Sequence, residues 1–536
     1  MKKAILLILV IFLTQASFSQ RWEKLYGTPA YDEWNSDLIE CYDKGYLLSG
    51  GSMHFHSNWL IKTDINGEML WEKHIVYDNS VVYPSYLDQN EKGEIVTASA
   101  VAIDFSGNYW ASIVKLDSCG EKQWCRMFDP GIRLDGFFTD VMFLDNGNIL
   151  ALQFANKSLT VYCAVQIYLY CFNPDGKLLW IKPYASIDDY PLLDATWPRK
   201  IDKFGNGYVI YGDCYWAFPG NPNHVYLRPL IIGLDSMFNE KYVFPFGGYT
   251  DSIFGMVYGG LQFNDSVYMG VGTRWIDENN HQCDNSLIMF FNKKGEELGY
   301  RQILNESIGT GIKSNYISDI ERINDSLFLA VSNYGKNYEW NPWGEFVLDT
   351  HANIYLKDTM SRLPAGDPRM IRSSDGNYLI IHTIQQPVTY KQDILLLKLN
   401  DTLGSAPFNQ GSFVYDSLCK EIPPSEEIDI TDCMAVVGIE DTPTPEQYFE
   451  SLKTIPIKAY PNPAKDKVKF DLENTELHQN IRLHCYDLLG KLMHSEPVIQ
   501  GQKGATVNIS SWPSGMYVAI VYTNDGAVGK CKFLVE

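Results

Sequence analysis

A repeat of about fifty to sixty residues constrains this chain more than any other feature. Its clearest copy is Lys44–Ile75, KGYLLSGGSMHFHSNWLIKTDINGEMLWEKHI: two apolar runs, a polar loop, a third apolar run, an Asn-Gly turn and a closing segment through Trp71. Registered on the turn before the second run, the copies fall at Gly45, Gly93, Gly147, Gly207, Ser266, Ser326 and Gly376, with steps of 48, 54, 60, 59, 60 and 50 residues. Each copy holds four strand-like runs. In repeat one these are Ser36–Cys41, Tyr46–Gly50, Asn58–Asp64 and Glu68–Ile75; in repeat three, Thr139–Leu144, Asn148–Phe154, Ile167–Phe172 and Lys177–Pro183. Seven such units over residues 20–415 predict an all-β protein, a seven-bladed β-propeller followed by a small C-terminal β-sandwich. The alternative, a stacked β-solenoid, normally uses much shorter repeats.

The residue types agree. Aromatic residues make up 14% of the chain, with 34 Tyr, 26 Phe and 41 Gly, a mix that suits pleated sheets joined by tight turns. The third runs are apolar throughout (Trp59-Leu60-Ile61, Ile231-Ile232, Ile288–Phe291, Ile394–Leu397), as expected of strands covered on both faces. Asn66-Gly67, Asp175-Gly176 and Asp375-Gly376 accept the positive φ of tight hairpins.

A spacing of Gly-x-x-x-Trp at Gly67/Trp71, Gly120/Trp124 and Gly176/Trp180 resembles the tryptophan-docking repeat of quinoprotein-type propellers, in which the indole packs onto the next blade. It decays after the third unit, at Asn239–Val243 and Gly295–Gly299, and its residues read as inter-blade packing with no cofactor. The segment Arg21–Tyr26 copies Leu70–Lys73, while unit seven ends without such a Trp. Residues 21–27 are therefore expected to supply the outer strand of the last blade and to remove the open sheet edges.

The two ends of the chain carry an address. Residues 1–19 read as a signal peptide: Lys2 and Lys3, an apolar run Ala4–Leu13, then Ser17 and Ser19 before the cut. No later run reaches the roughly 18–20 apolar residues of a membrane span, and no Cys follows the cut to take a lipid. Losing the two lysines moves the formal charge from −21 to −23, which disfavours a nucleic-acid partner. All eleven cysteines lie beyond the signal, where disulfides form. The pairs suggested by proximity are Cys119 with Cys125, Cys419 with Cys433 and Cys485 with Cys531. Residues 416–454, rich in proline and acid, read as a linker, with Thr444, Pro445 and Gln447 suited to a helix start.

Residues 455–536 form a separate unit of short strands, including Val468–Leu472, Ile481–Tyr486, Thr506–Ile509, Met516–Tyr522 and Gly529–Val535. Four blocks stand out: Ala459–Ala464 (AYPNPA), Tyr486–Lys491 (YDLLGK), Trp512–Val518 (WPSGMYV) and Lys532–Val535 (KFLV). In order and content they resemble the type A C-terminal sorting domain of the Bacteroidetes type IX secretion system. The motif residues are Pro461, Asn462, Pro463, Gly490, Gly515 and Tyr517. Cys485 and Cys531 are unusual in such strands, and Trp512 stands where a leucine is common. The resemblance implies the type IX machinery as partner, passage through the outer membrane, removal of this domain, and release or attachment to the cell surface.

Two places are candidates for function. Aromatics gather between the second and third strands, and Trp110, Trp216, Phe218, Trp275, Trp340 and Trp343 are candidate ligand contacts, since recognition residues sit on loops of rigid scaffolds. Asp37, Asp140, Asp319, Lys200 and Arg369 fall near equivalent places in the first strands, at the expected channel mouth. Catalytic signatures are missing: no H-E-x-x-H, G-x-S-x-G, Walker loop or G-x-G-x-x-G occurs. The His54-x-His56 pair lacks a third ligand, no full calcium loop is present, and no metal or cofactor is expected. The first reading is thus a binding or adhesion module for a glycan, a peptide or a surface protein, more a binder than an enzyme. The alternatives are an extracellular carbohydrate- or peptide-active hydrolase or lyase using carboxylates at the channel mouth, and a purely structural surface protein.

Overall fold

The apolar third runs become central strands, and the rest of each repeat is built outward from them. The computed structural model describes residues 22–536 except 79, 84, 103–108, 129–135, 157–164, 187–192, 219–220, 247–253, 265, 279–280, 304–312, 337–342, 361–362, 365–366, 420–425, 437–442, 446, 448–454, 474, 476–480, 489–490 and 524–527. The expected signal peptide lies outside the described residues. The chain is all-β and divides into two compact units, Met1–Thr442 and Pro443–Glu536.

In the first unit each repeat forms an antiparallel four-stranded array in sequence order. Repeat one comprises Glu33–Glu40, Tyr46–Ser52, Ser57–Thr63 and Met69–Val76, within a few residues of the expected strands. Both of its central strands are buried at every position. The fourth strand of the last array comes from the other end of the chain. Glu23–Tyr26 pairs antiparallel with Gln392–Leu399, in the register Glu23↔Leu397. Apolar cores lie between successive arrays. One joins Leu47, Leu60 and Trp71 to Ile95 and Val114; another joins the last array to the first, Ile394 and Leu396 against Leu48 and Trp59.

Successive arrays are also tied at their rims. In repeats one to six the hairpin between third and fourth strands places one residue at positive φ, Gly67, Gly120, Gly176, Phe238, Gly295 and Ala352, and Leu403 takes the same conformation in the turn that follows the last third strand. At Gly67, Gly120, Gly176, Phe238 and Gly295 an aromatic ring from the preceding array packs onto that residue. A Cβ at Gly67 would lie 2.8 Å from Trp22, one at Gly176 2.6 Å from Trp124, and one at Gly295 2.3 Å from Tyr242. Trp180 instead meets Phe238, with centroids 4.9 Å apart. The docking that fades from the sequence after the third unit therefore continues in space with other residues.

The stretch expected as a linker from residue 416 is folded onto repeats one and two. Glu426–Asp429 adds in parallel to Met69–Val76, and Met434–Val436 adds to Lys122–Phe128. Two disulfides fasten it, Cys119–Cys419 and Cys125–Cys433. The four cysteines are thus correctly singled out but wrongly paired by proximity in sequence. The strap lays Cys419 and Cys433 beside residues some 300 positions earlier, and tertiary contact chooses the partner. Cys485 and Cys531, expected as a pair, are free thiols.

The second unit has two sheets, Ile457–Tyr460 with Lys467–Leu472 and Gly504–Asn508, and a four-stranded one centred on Ile481–Asp487 and Gly515–Tyr522. Lys467–Leu472 alternates exposed and buried positions, which places Val468, Phe470 and Leu472 in one core with Leu483, Val521 and Phe533. At its start, Thr444 and Gln447 make the reciprocal capping bonds read from the sequence, 3.0 and 3.4 Å.

Candidate functional site

The first strand of each repeat carries a bulge or break near its middle, as between Asn35 and Asp37, Phe138 and Asp140, and Ile317 and Asp319. A bulge re-aims the side chain that follows it. In equivalent register across the repeats stand Asp37, Tyr86, Asp140, Lys200, Gly259, Asp319 and Arg369, paired with Ser49, Ala98, Leu152, Tyr211, Val271, Val331 and Ile381. Five of these are the residues expected at the channel mouth, Asp37, Asp140, Lys200, Asp319 and Arg369, and the structure brings all five together. Asp37 interacts electrostatically with Arg369 and Lys200, and Lys200 with Asp319 and Asp140.

The three aspartates share one bonding pattern. Met370 N–H donates to Asp319 Oδ2 at 3.0 Å, while Ile320 N–H donates to its Oδ1 at 2.9 Å. Asp140 receives Ile201 N–H at 2.7 Å and Val141 N–H at 2.9 Å; Asp37 receives Leu87 N–H at 2.8 Å. In each case one donor belongs to the next repeat, so the carboxylate latches neighbouring sheets. Asp88, which sequence reasoning missed, does the same one layer away, to Phe143 N–H at 2.6 Å.

Burial sets the titration of these acids, and neighbouring carboxylates add to it. Burial, helped by Asp37 and Asp202, pushes Asp140 up to about 8 against the opposing Ile201 N–H and Lys200. Burial and the nearby Asp319 raise Glu321 to about 7, and burial raises Asp88 to about 6. Asp202 beside Lys200 (3.5 Å) holds the ammonium's pKa up. Their side chains keep 26% and 33% exposure, so water reaches this cluster.

Beside the acids, both at their own level (Tyr86, Arg369) and toward the start of the same strands (Arg199, Tyr258, Tyr316), stand aromatic and guanidinium side chains. Arg199 donates to Asp213 at 2.8 Å and lies 5.6 Å from the ring of Tyr258. Tyr258 packs against Tyr316 at 5.2 Å, and the Tyr316 hydroxyl donates to Asp367. Arg369 lies 5.8 Å from the ring of Tyr86. Tyr86, Arg199, Tyr258 and Tyr316 are half-buried.

The aromatic candidates fare differently. Trp216 is buried at 5% exposure and is no surface contact. The second and third strands of repeat four run on through Gly207–Phe218 and Asn221–Leu234, so residues expected in a loop are strand residues. Trp110 is half-buried against the core between repeats one and two. Phe218, Trp275 and Trp343 lie on strands, but their side chains, and all of Trp340, lie outside the described residues. Among the described residues the closely spaced potential metal ligands are Cys125, Asp432 and Cys433, and both of these cysteines are in disulfides.

The second unit is organised by its motif. Asn462 Oδ1 accepts Leu534 N–H at 2.9 Å, and its Nδ2 donates to the Lys532 carbonyl at 3.3 Å. Pro461 and Pro463 flank it, each after a cis peptide bond. Ala464 N–H bonds Leu534 at 2.8 Å, so the AYPNPA block is fastened along the final strand. Gly515 opens strand Gly515–Tyr522. Tyr517, 4% exposed, donates to the Pro513 carbonyl at 2.8 Å and packs on Trp512 and Phe533. Gly490 lies outside the described residues. Residues 458–536 match the secretion system C-terminal sorting domain. The sorting domain marks export by the type IX machinery, and the protein is secreted or attached to the outer cell surface. No helix among the described residues is long and apolar enough to cross a membrane.

No curated protein matches the chain in sequence. Among solved structures, an ulvan lyase of a new polysaccharide lyase family is similar over 71% of this chain and 96% of its own, at 9% identity and TM-score 0.46. An endo-arabinase from Bacteroides thetaiotaomicron covers 50% and 92%, at 12% identity and TM-score 0.29. A subtype N10 neuraminidase-like protein of a little yellow-shouldered bat influenza A virus covers 69% and 99%, at 7% identity and TM-score 0.34.

Proposed function

We propose that the first unit is a seven-bladed β-propeller, that the tail is a small β-sandwich serving as its export signal, and that the mature protein is a binding module outside the cell. The single observation that carries the binding role is the mouth lined by Tyr86, Tyr258 and Tyr316 with Arg199 and Arg369. Half-buried aromatic rings and guanidiniums on rigid strands give stacking faces and fixed donors at little entropic cost. The catalytic alternative placed Asp37, Asp140 and Asp319 as acid and base. Asp140 and Asp319 have both carboxylate oxygens taken by backbone N–H groups, and this supports binding over catalysis at that ring.

The test is an array of glycans and peptides probed with the mature protein. The variants Tyr86→Ala and Tyr258→Ala should each weaken the captured ligand at least about tenfold, or roughly 1.4 kcal/mol. Full binding by both variants, with unchanged melting, would put the ligand elsewhere on the molecule.

A further inference from the structure

Repeats four and five meet through a joint unlike the first three. Trp71, Trp124 and Trp180 stand opposite Lys62, Lys115 and Cys171 on the adjacent strand. The corresponding pair is Tyr242 opposite Gly233, and both members are smaller. The Tyr242 ring folds down over Gly233, where a Cβ would lie 2.3 Å from it, and reaches the hairpin of the next repeat at Gly295. Beside this smaller pair lies an open cleft of about 370 Å³, within the roughly 300–1,000 Å³ of small-molecule sites.

The lining of this cleft is specific. Phe204, Tyr208, Tyr242 and Tyr268 form aromatic walls, and Lys241 and Lys293 stand at its edge. Both lysines are exposed; Lys241 also interacts with Asp235. Two ammoniums beside four rings stand out on a chain whose formal charge is −21. Tyrosine faces suit the C–H face of a sugar ring, and ammoniums at the rim suit a carboxylate or sulfate. A neutral sugar would leave the lysines unused, and an inorganic anion would leave the rings unused.

We propose that this cleft, separate from the axial mouth, binds an acidic saccharide unit, with its ring against the tyrosines and its anionic group at Lys241 and Lys293. Calorimetric titration of the mature protein would use three probes of equal length: an oligogalacturonate, a sulfated galactan fragment and an uncharged galactan fragment. At least one acidic probe should bind about tenfold or more tighter than the uncharged one, and which acid wins identifies the anionic group. Lys241→Ala combined with Lys293→Ala should remove at least about tenfold of that affinity. Tyr242→Trp, which refills the joint with the residue used at the other joints, should abolish binding without lowering the melting temperature. Equal binding of the uncharged probe, failure of both acidic probes to bind, or unchanged affinity in both variants would overturn the proposal.

Discussion

Neighbouring repeats are tied in two places by opposite chemistry. At the rim an aromatic ring lies on a positive-φ hairpin, as Trp22 does on Gly67. At the inner strands a carboxylate accepts a backbone N–H from the next repeat, as Asp140 does from Ile201. The rim ties gain from apolar burial, which is insensitive to pH. The inner ties keep polar groups satisfied in a place where burial first, and neighbouring carboxylates second, raise an acid's titration point. The rim ties are thus apolar and the inner ties polar, and the inner ones contain groups whose charge depends on pH.

Breaking a rim tie should have the largest effect. Trp22 is fully buried, stacks near Phe408 at 6.1 Å and lies 5.8 Å from the Lys398 ammonium. Trp22→Ala should cost about 3–5 kcal/mol, read as a lower denaturant midpoint. The strap adds a third kind of tie at the outer edges of repeats one and two. Cys119→Ser with Cys419→Ser should cost about 2–4 kcal/mol, and proteolysis should then cut between residues 416 and 436 before the remaining strands. Opening an inner tie should cost less: Asp140→Ala leaves Ile201 N–H without its acceptor, worth about 1–3 kcal/mol. A loss at Asp140 larger than that at Trp22, in the same denaturant series, would reverse the ranking of the two kinds of tie.

The smallest effect is the pH slope, because water reaches the inner cluster. Asp88, Glu321 and Asp140 titrate near 6, 7 and 8 in the folded chain, above the ordinary carboxylate value. A raised acid binds its proton more tightly folded than unfolded. The stability that these three groups contribute is thus fully present below about pH 4 and is lost as pH rises from about 4 toward 8. Asp140→Asn, facing the same Asp37, Lys200 and Asp202, should flatten the upper part of that decline in melting curves recorded between pH 5 and 9.

Much of this architecture is legible from residues alone, and the exceptions have physical causes. The Gly-x-x-x-Trp spacing reveals the first three rim ties because glycine meets positive φ without strain. The fourth tie uses Phe238 in the same conformation, so no glycine marks it, and at the fifth Gly295 is present but its ring is Tyr242 in place of Trp. Among the inner residues, Asp140, Lys200, Asp319 and Arg369 stand seven positions before Gly147, Gly207, Ser326 and Gly376. The same spacing points to Tyr86 before Gly93 and Gly259 before Ser266, a signal that a search for charge alone passes over. Trp216 reads as a surface ring because nothing local reveals that its strand extends.

The sequence by itself determined the repeat, the strand order within it, the N-terminal strand that completes the last array, and the sorting tail. All of these rest on short-range patterns: the two-residue alternation or full burial of strands, turn residues, and contiguous motifs. Only the tertiary structure decided which cysteines pair, that the acidic stretch from residue 416 is a strap, and that the inner aspartates are latches. It alone also revealed the cleft at Tyr242 and Gly233. Each of these depends on which distant groups come within bonding distance, and one chain's local pattern does not encode that distance.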